Sequence, residues 1–291
     1  MSWVVLTVAA AFVQNVRSYL QKRLTGRLSV LGAAYVRFVF ALPFAWLYCL
    51  GVMSLRHADA PLEVNFEFLG YCLVGGIGQV AATVWLLDAF TERNFMAATA
   101  LSKTETVQAA AFGLLLLGDT LTWASAAGIL VSLAGVLLLS GWQRGLRFDR
   151  AAWLGLLAGA GFAVAAVSYR GATLALDAGD VITRASLTVA VVLTMQTVLM
   201  GGYVLIRDRA QVLRLWQVRW VGVAVGLAGA LASAGWFTAM AMVSAALVRA
   251  VGQIELLFAL ATSVWLLRER VAPREIAGAV LILGGILLLI S

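Results

Sequence analysis

The sequence predicts an all-α integral membrane protein with ten transmembrane helices, arranged as two inverted five-helix repeats. Three observations carry that expectation. Apolar residues make up 63% of the 291-residue chain and charged residues only 12%, with a mean hydropathy of +0.96. An average soluble domain is ~45–50% apolar and ~25% charged. Basic residues concentrate on alternate connections, and the chain matches itself when shifted by 150 residues.

A spanning helix needs ~20 mostly apolar residues, because ~30 Å of hydrocarbon is crossed at ~1.5 Å per residue. Runs of that kind lie near 3–22, 29–51, 67–90, 94–117, 121–140, 151–174, 180–206, 219–243, 245–267 and 272–290. Barrel strands would instead alternate apolar and polar over ~10 residues. The longest connection, around 52–66, is polar and carries Asp59, Pro61 and Glu63. No stretch could fold as a soluble domain, so the chain divides into repeats at 1–145 and 146–291. Met1-Ser2-Trp3 lacks the basic start of a signal peptide, so the first span is expected to be retained. Gly155/Gly159 and Gly222/Gly226 have the four-residue spacing that lets helix backbones approach in lipid. Cys49 and Cys72 lie in apolar runs and read as small buried residues.

Fourteen Lys and Arg residues fall on odd-numbered connections, from Lys22, Arg23 and Arg27 to Arg268, Arg270 and Arg274. The even connections carry Arg56 alone. Basic short loops stay in the cytoplasm, which puts the odd loops inside and both termini outside. The net charge of +7 is thus a topology signal and a contact for anionic lipid, not a sign of a nucleic-acid partner.

Under the 150-residue shift, Phe12, Ser18 and Tyr19 fall on Phe162, Ser168 and Tyr169. Glu105 falls on Glu255, Asp119 on Glu269, and Gly128 and Gly135 on Gly278 and Gly285. Leucine and glycine matches come cheaply in an apolar chain; a mid-span glutamate at the same offset does not. Five helices per repeat is an odd number, so the second half enters the membrane upside down. Inverted repeats of this kind characterise many secondary transporters, with the site near the midplane.

Each half closes on an acidic turn followed by a glycine-patterned helix. These are Gly118-Asp119-Thr120-Leu121 before Gly128 and Gly135, and Leu267-Arg268-Glu269-Arg270-Val271 before Gly278, Gly284 and Gly285. On these residues the whole chain resembles the drug/metabolite transporter superfamily, in its ten-helix EamA-like branch. The resemblance implies a central cavity lined by helices 1–4 and 6–9, and transport of small metabolites, amino acids among them, often outward. Many members carry a proline after the mid-helix glutamate of the ninth span. Here Leu256 follows Glu255, so that helix is expected to run straight.

Charges inside spans are expensive, ~2.5–3.5 kcal/mol each at the helix centre, and tend to face a cavity or a partner. Glu105 and Glu255 are the deepest, about 15–16 Å from their helix starts. Lys103 lies two residues from Glu105, and its counterpart is Gln253, so each half offers an acid and a long polar side chain. Arg37 is too deep for easy snorkelling and is a candidate partner for a carboxylate or phosphate. Arg17 and Arg170, nearer helix ends, are expected to snorkel to headgroups. Arg184 and Arg249, each about a turn into a span, would meet either an anionic substrate or Asp177 and Asp180. Trp85 and Trp236 match at a shift of 151 and are candidate aromatic walls. His57 lies in a loop without the partners a metal site needs.

Rival functions fail on particular residues. No G-x-x-x-x-G-K-[ST] loop supports an ATP-driven pump, and no mid-membrane histidine serves an intramembrane enzyme. A channel is disfavoured by the two-half architecture; unitary currents would reveal one. The expected function is a secondary transporter of small polar or amphipathic, amino-acid-like metabolites. It is expected to export them across the cell inner membrane by alternating access, without a cofactor and with protons as candidate coupling ion. An importer or exchanger of the same fold is the alternative.

Overall fold

The computed structural model describes residues 1–24, 27–56, 64–89, 92, 95–139, 149–177, 179–267 and 272–290. His57, Asp59, Pro61, Glu63, Arg93, Arg144, Arg147, Arg268, Glu269 and Arg270 lie outside the described residues.

The first half contains α1 (Ser2–Lys22), α2 (Val30–Val39), α3 (Leu42–Arg56), α4 (Phe66–Ala89), α5 (Phe95–Ser102), α6 (Glu105–Leu117) and α7 (Trp123–Leu139). The second contains α8 (Arg150–Leu174), α9 (Val181–Arg207), α10 (Arg209–Arg214), α11 (Arg219–Met242), α12 (Ala245–Gly252), α13 (Glu255–Leu267) and α14 (Pro273–Ile290). Local chemistry sets several starts and stops. Ser29, Asp149 and Asp180 accept hydrogen bonds from backbone amides three residues on, satisfying donors that have no partner inside the helix. Gly118 ends α6 in the left-handed region, at φ 67°, where a side chain would be strained.

Eight helical stretches among the described residues are long and apolar enough to cross a membrane, and the chain is a multi-pass membrane protein. Ten is not reached on length alone. The α7 helix is a shorter apolar one, and the α5–α6 run is interrupted.

The interruption occurs twice at the same offset, and in the ninth span it departs from the expectation that no kink falls at Glu255. Between α5 and α6 the amides of Lys103 and Thr104 turn to Ala100 and Leu101, at 3.1 and 3.0 Å. Between α12 and α13 the amides of Gln253 and Ile254 turn to Ala250 and Val251, at 3.2 and 3.1 Å. These tight three-residue turns replace the α ladder without any proline. In the first half Ser102 and Thr104 also donate to carbonyls three residues back, at 2.8 and 2.6 Å, competing with the ladder. Glu105 and Glu255 therefore each open a half-helix, where the helix dipole favours an acid.

The two halves meet along α7 and α14, which run antiparallel. A Cβ added to Gly128 would lie 2.8 Å from the Gly285 carbonyl oxygen, and one on Gly135 would lie 2.6 Å from that of Gly278. These four glycines form two of the pairs that repeat at 150 residues, and exchanging the halves maps this set of contacts onto itself. Elsewhere α1 packs on α11, and α4 on α8. Gly155 receives the backbone of Ala98, and Gly222 and Gly226 receive Phe40, so both four-residue glycine spacings serve packing.

Replacing Gly135 by Leu is expected to force α7 and α14 apart and cost about 1–3 kcal/mol. Gly284, which has nothing within 4 Å of its would-be Cβ, is the control. Unfolding midpoints in detergent micelles should drop for Gly135→Leu and hold for Gly284→Leu.

Candidate functional site

A cavity of about 290 Å³ lies between the two halves, and both contribute charged side chains to its wall. Near its centre the breaks in the two interrupted runs bring opposite charges together across the halves. Lys103 Nζ of the first half lies 2.5 Å from Glu255 Oε1 of the second. Arg249 of the second half approaches Glu105 of the first, at 4.0 Å. The pairing is crossed: each acid meets a cation from the other half.

The Glu255 pair is the tighter one and is further held by neutral groups. Gln14 Nε2 on α1 donates to Glu255 Oε2. Trp236 Nε1 on α11 donates to Gln14 Oε1 at 3.1 Å, which fixes the amide. The Arg249 guanidinium also stands 5.6 Å from the Trp236 ring centroid, within cation–π range.

Two further cations reach the same cavity. Arg37 donates to Thr83 Oγ1 at 2.8 Å, and Arg17 projects from α1. A Cβ on Gly229 would lie 3.5 Å from the Arg37 carbonyl and 3.6 Å from Arg17 Cδ, so both residues border the same point of α11. On another wall Tyr169 donates to the Gly75 carbonyl at 3.0 Å and accepts from Gln196 at 2.6 Å. Its ring stacks on Phe237 with centroids 4.4 Å apart.

At one end of the bundle Arg170 grips the Asp119 carboxylate through Nε and NH2, with contacts of 2.9–3.2 Å. Its NH1 donates to the carbonyls of Met240 and Val243, at 2.9 and 2.8 Å. The expectation that Arg170 snorkels is thereby corrected. The side chain ties the turn after α6 to the end of α11, and every arm of the guanidinium is used. Arg17 likewise faces the cavity, because its position around α1 turns it inward toward α11.

Of the residues singled out from the sequence, Glu105, Glu255, Arg37, Lys103, Arg249 and Trp236 line the cavity. Trp85, Arg184 and Gln253 are not on its wall. Leu86 takes the place expected of Trp85. The consistent shift is 150, which pairs Trp236 with Leu86, and one residue of slip turns a helical side chain by ~100°. Arg184 donates to the Thr173 carbonyl at 3.3 Å, away from the cavity. Gln253 is buried at the α12–α13 break. Sequence reasoning missed Gln14, Gln79 and Gln196, which are on the wall. Long amides inside apolar runs were the available signal. Among the described residues no cluster of His, Cys, Asp or Glu could hold a metal ion.

This geometry can hold a small molecule among fixed charges, aromatic faces and amides. No curated protein matches the chain. A solved structure, described only as a crystal structure of a protein, is similar with a TM-score of 0.77 at 15% identity, covering 99% of this chain and 95% of that one. At that identity the likeness concerns the fold. A family model described as the EamA-like transporter family matches residues 1–141 and again 149–291. With that model repeated once on each side of the cavity and covering nearly every residue, the chain belongs to the EamA-like transporter family.

Proposed function

We propose that the protein is a secondary transporter that exports small polar or amphipathic, amino-acid-like metabolites by alternating access between two inverted halves. The observation that carries this reading is the central cavity, whose charges are supplied by both halves and whose two acids each meet a cation of the other half. A pocket whose wall is split between two bodies changes its exposure when one body rocks on the other. The self-exchanging glycine contact of α7 and α14 supports the inversion. Joining the interrupted runs α2–α3, α5–α6 and α12–α13 supports ten spans.

Protons are the proposed coupling ion. A carboxyl held between a low-dielectric surround, which favours its neutral form, and a cation, which favours its charged form, can gain and lose a proton. Glu105 and Glu255 are the two carboxyls on the cavity wall, and each faces a cation of the other half. The basic odd loops support placement in an inner membrane with both termini outside.

Two measurements test the reading. Cells expressing the protein should release at least one small metabolite faster than cells without it, and proteoliposomes should show saturable flux that responds to an imposed pH gradient. No flux difference for any metabolite would overturn the transporter reading. For orientation, a reporter active only in the cytoplasm and fused after Ser291 should stay silent; strong signal would reverse the topology.

A further inference from the structure

We infer that the transported molecule is a small amphipathic organic anion. Its carboxylate or phosphate group is held between Arg17 and Arg37, and its apolar body rests on the aromatic wall of Phe162, Tyr169, Trp236 and Phe237. This deepens the transporter reading and rests on it.

The charge inventory of the cavity leads there. Four cations and two acids line it. Lys103 is matched by Glu255 and Arg249 by Glu105. Among the described residues no carboxylate comes within ion-pair distance of Arg17 or Arg37. The bond from Arg37 to the neutral Thr83 hydroxyl offsets no charge. The Nε atoms of both arginines are buried without a hydrogen-bond partner, and both residues border Gly229 on α11. Buried charge without compensation costs several kcal/mol per ion. Glu255, the acid that acts on Arg17, is already held by Lys103, so four cations share two acids and the cavity keeps an excess of positive charge. Planar forks that donate in pairs suit the oxygens of a carboxylate or phosphate.

The internal repeat shows that the fold itself does not need these charges. The counterparts of Arg17 and Arg37 are Val167 and Leu187, both fully or nearly fully buried apolar residues. One half of the scaffold is built without a cation at either place, so the arginines answer to something other than packing. The stacked Tyr169–Phe237 pair and Trp236 give the cavity an apolar side, and about 290 Å³ restricts the occupant to a small molecule.

The test uses the purified full-length chain and probes matched in shape. Phenylacetate and phenyl phosphate are compared with the neutral phenylacetamide and the cationic phenethylamine, by thermal shift and by calorimetric titration in detergent. The anions should raise the melting temperature, and the amide and the amine should not. Arg17→Gln and Arg37→Gln should each weaken anion binding about tenfold or more, while Arg274→Gln, at an exposed position, leaves it unchanged. Arg37→Lys keeps the charge and guards against misfolding; it should bind more weakly than the native chain yet still prefer the anion over the amide. Equal shifts from phenylacetate and phenylacetamide would overturn the inference, as would equal stabilisation by chloride or inorganic phosphate alone. Proteoliposome flux separates the two readings. Flux of neutral or cationic solutes with no preference for anions sinks this inference and leaves the transporter reading. Selective anion binding with no flux of any solute sinks the transporter reading and leaves the site.

Discussion

Glu255→Gln should destabilise the protein by about 3–5 kcal/mol, because it strands Lys103 beside a neutral group in a part-buried site. Lys103→Gln should do much the same from the other side. The double variant Lys103→Gln/Glu255→Gln should recover most of the loss, since neither partner is then an unmatched charge. The second half already carries that chemistry at the position equivalent to Lys103, where Gln253 is tolerated. Glu105→Gln should cost less, because Arg249 stands 4.0 Å away rather than in direct contact. Function should part from stability here. Each glutamine variant, and the stable double variant, should lose the response of flux to a pH gradient. The measurements are unfolding in micelles and proteoliposome flux with the inside acid and then the outside acid. Equal stability losses for Glu105→Gln and Glu255→Gln would show that the crossed pairs are not unequal. Normal pH-responsive flux in the double variant would leave both acids as structural groups.

Arg170→Ala carries the other large effect. It would leave the Asp119 carboxylate and the carbonyls of Met240 and Val243 without their donors, at a cost of about 3–5 kcal/mol. Arg170→Lys should recover only part of this, since an ammonium cannot reproduce the fork on Asp119 while also serving two carbonyls. Replacing both Arg170 and Asp119 by Leu should lie closer to the native stability than Arg170→Ala, because no carboxylate is then left uncompensated. Chemical unfolding of the four proteins checks the order. A native-like Arg170→Ala would mean that the grip is worth no more than an exposed ion pair.

The all-helical, membrane-crossing character was legible because long apolar runs leave few alternatives. Glu105, Glu255, Lys103 and Arg37 were legible because a charge in such a run is conspicuous. What a sequence does not print is direction around a helix. Arg17 and Arg170 lie at depths from which a long side chain can reach headgroups, and only the neighbouring helices turn them inward. The same loss of angle placed Trp85 on the wall in place of Leu86. Gln14 and Gln196 passed unnoticed because a neutral amide disturbs an apolar run far less than a charge does. The breaks before Glu105 and Glu255 lacked the proline that would have announced them. Ser102-Lys103-Thr104-Glu105 nonetheless has the polar, acid-ended look of a helix start.

The α7–α14 contact is isologous, the arrangement that identical subunits adopt across a two-fold axis, with residue i meeting j where j meets i. A contact built this way has no polarity of its own: rotated by half a turn, it presents the same residues. Any vectorial preference must therefore be written where the halves disagree. On the cavity wall most positions differ between the halves, and four of the differences involve a cation: Arg17 against Val167, Arg37 against Leu187, Lys103 against Gln253 and Arg249 against Thr99. The glycine seam ties the frame down, since neither of its helices can change without the other. The four cation differences lie off that seam, so a change in them leaves the glycine contact as it is.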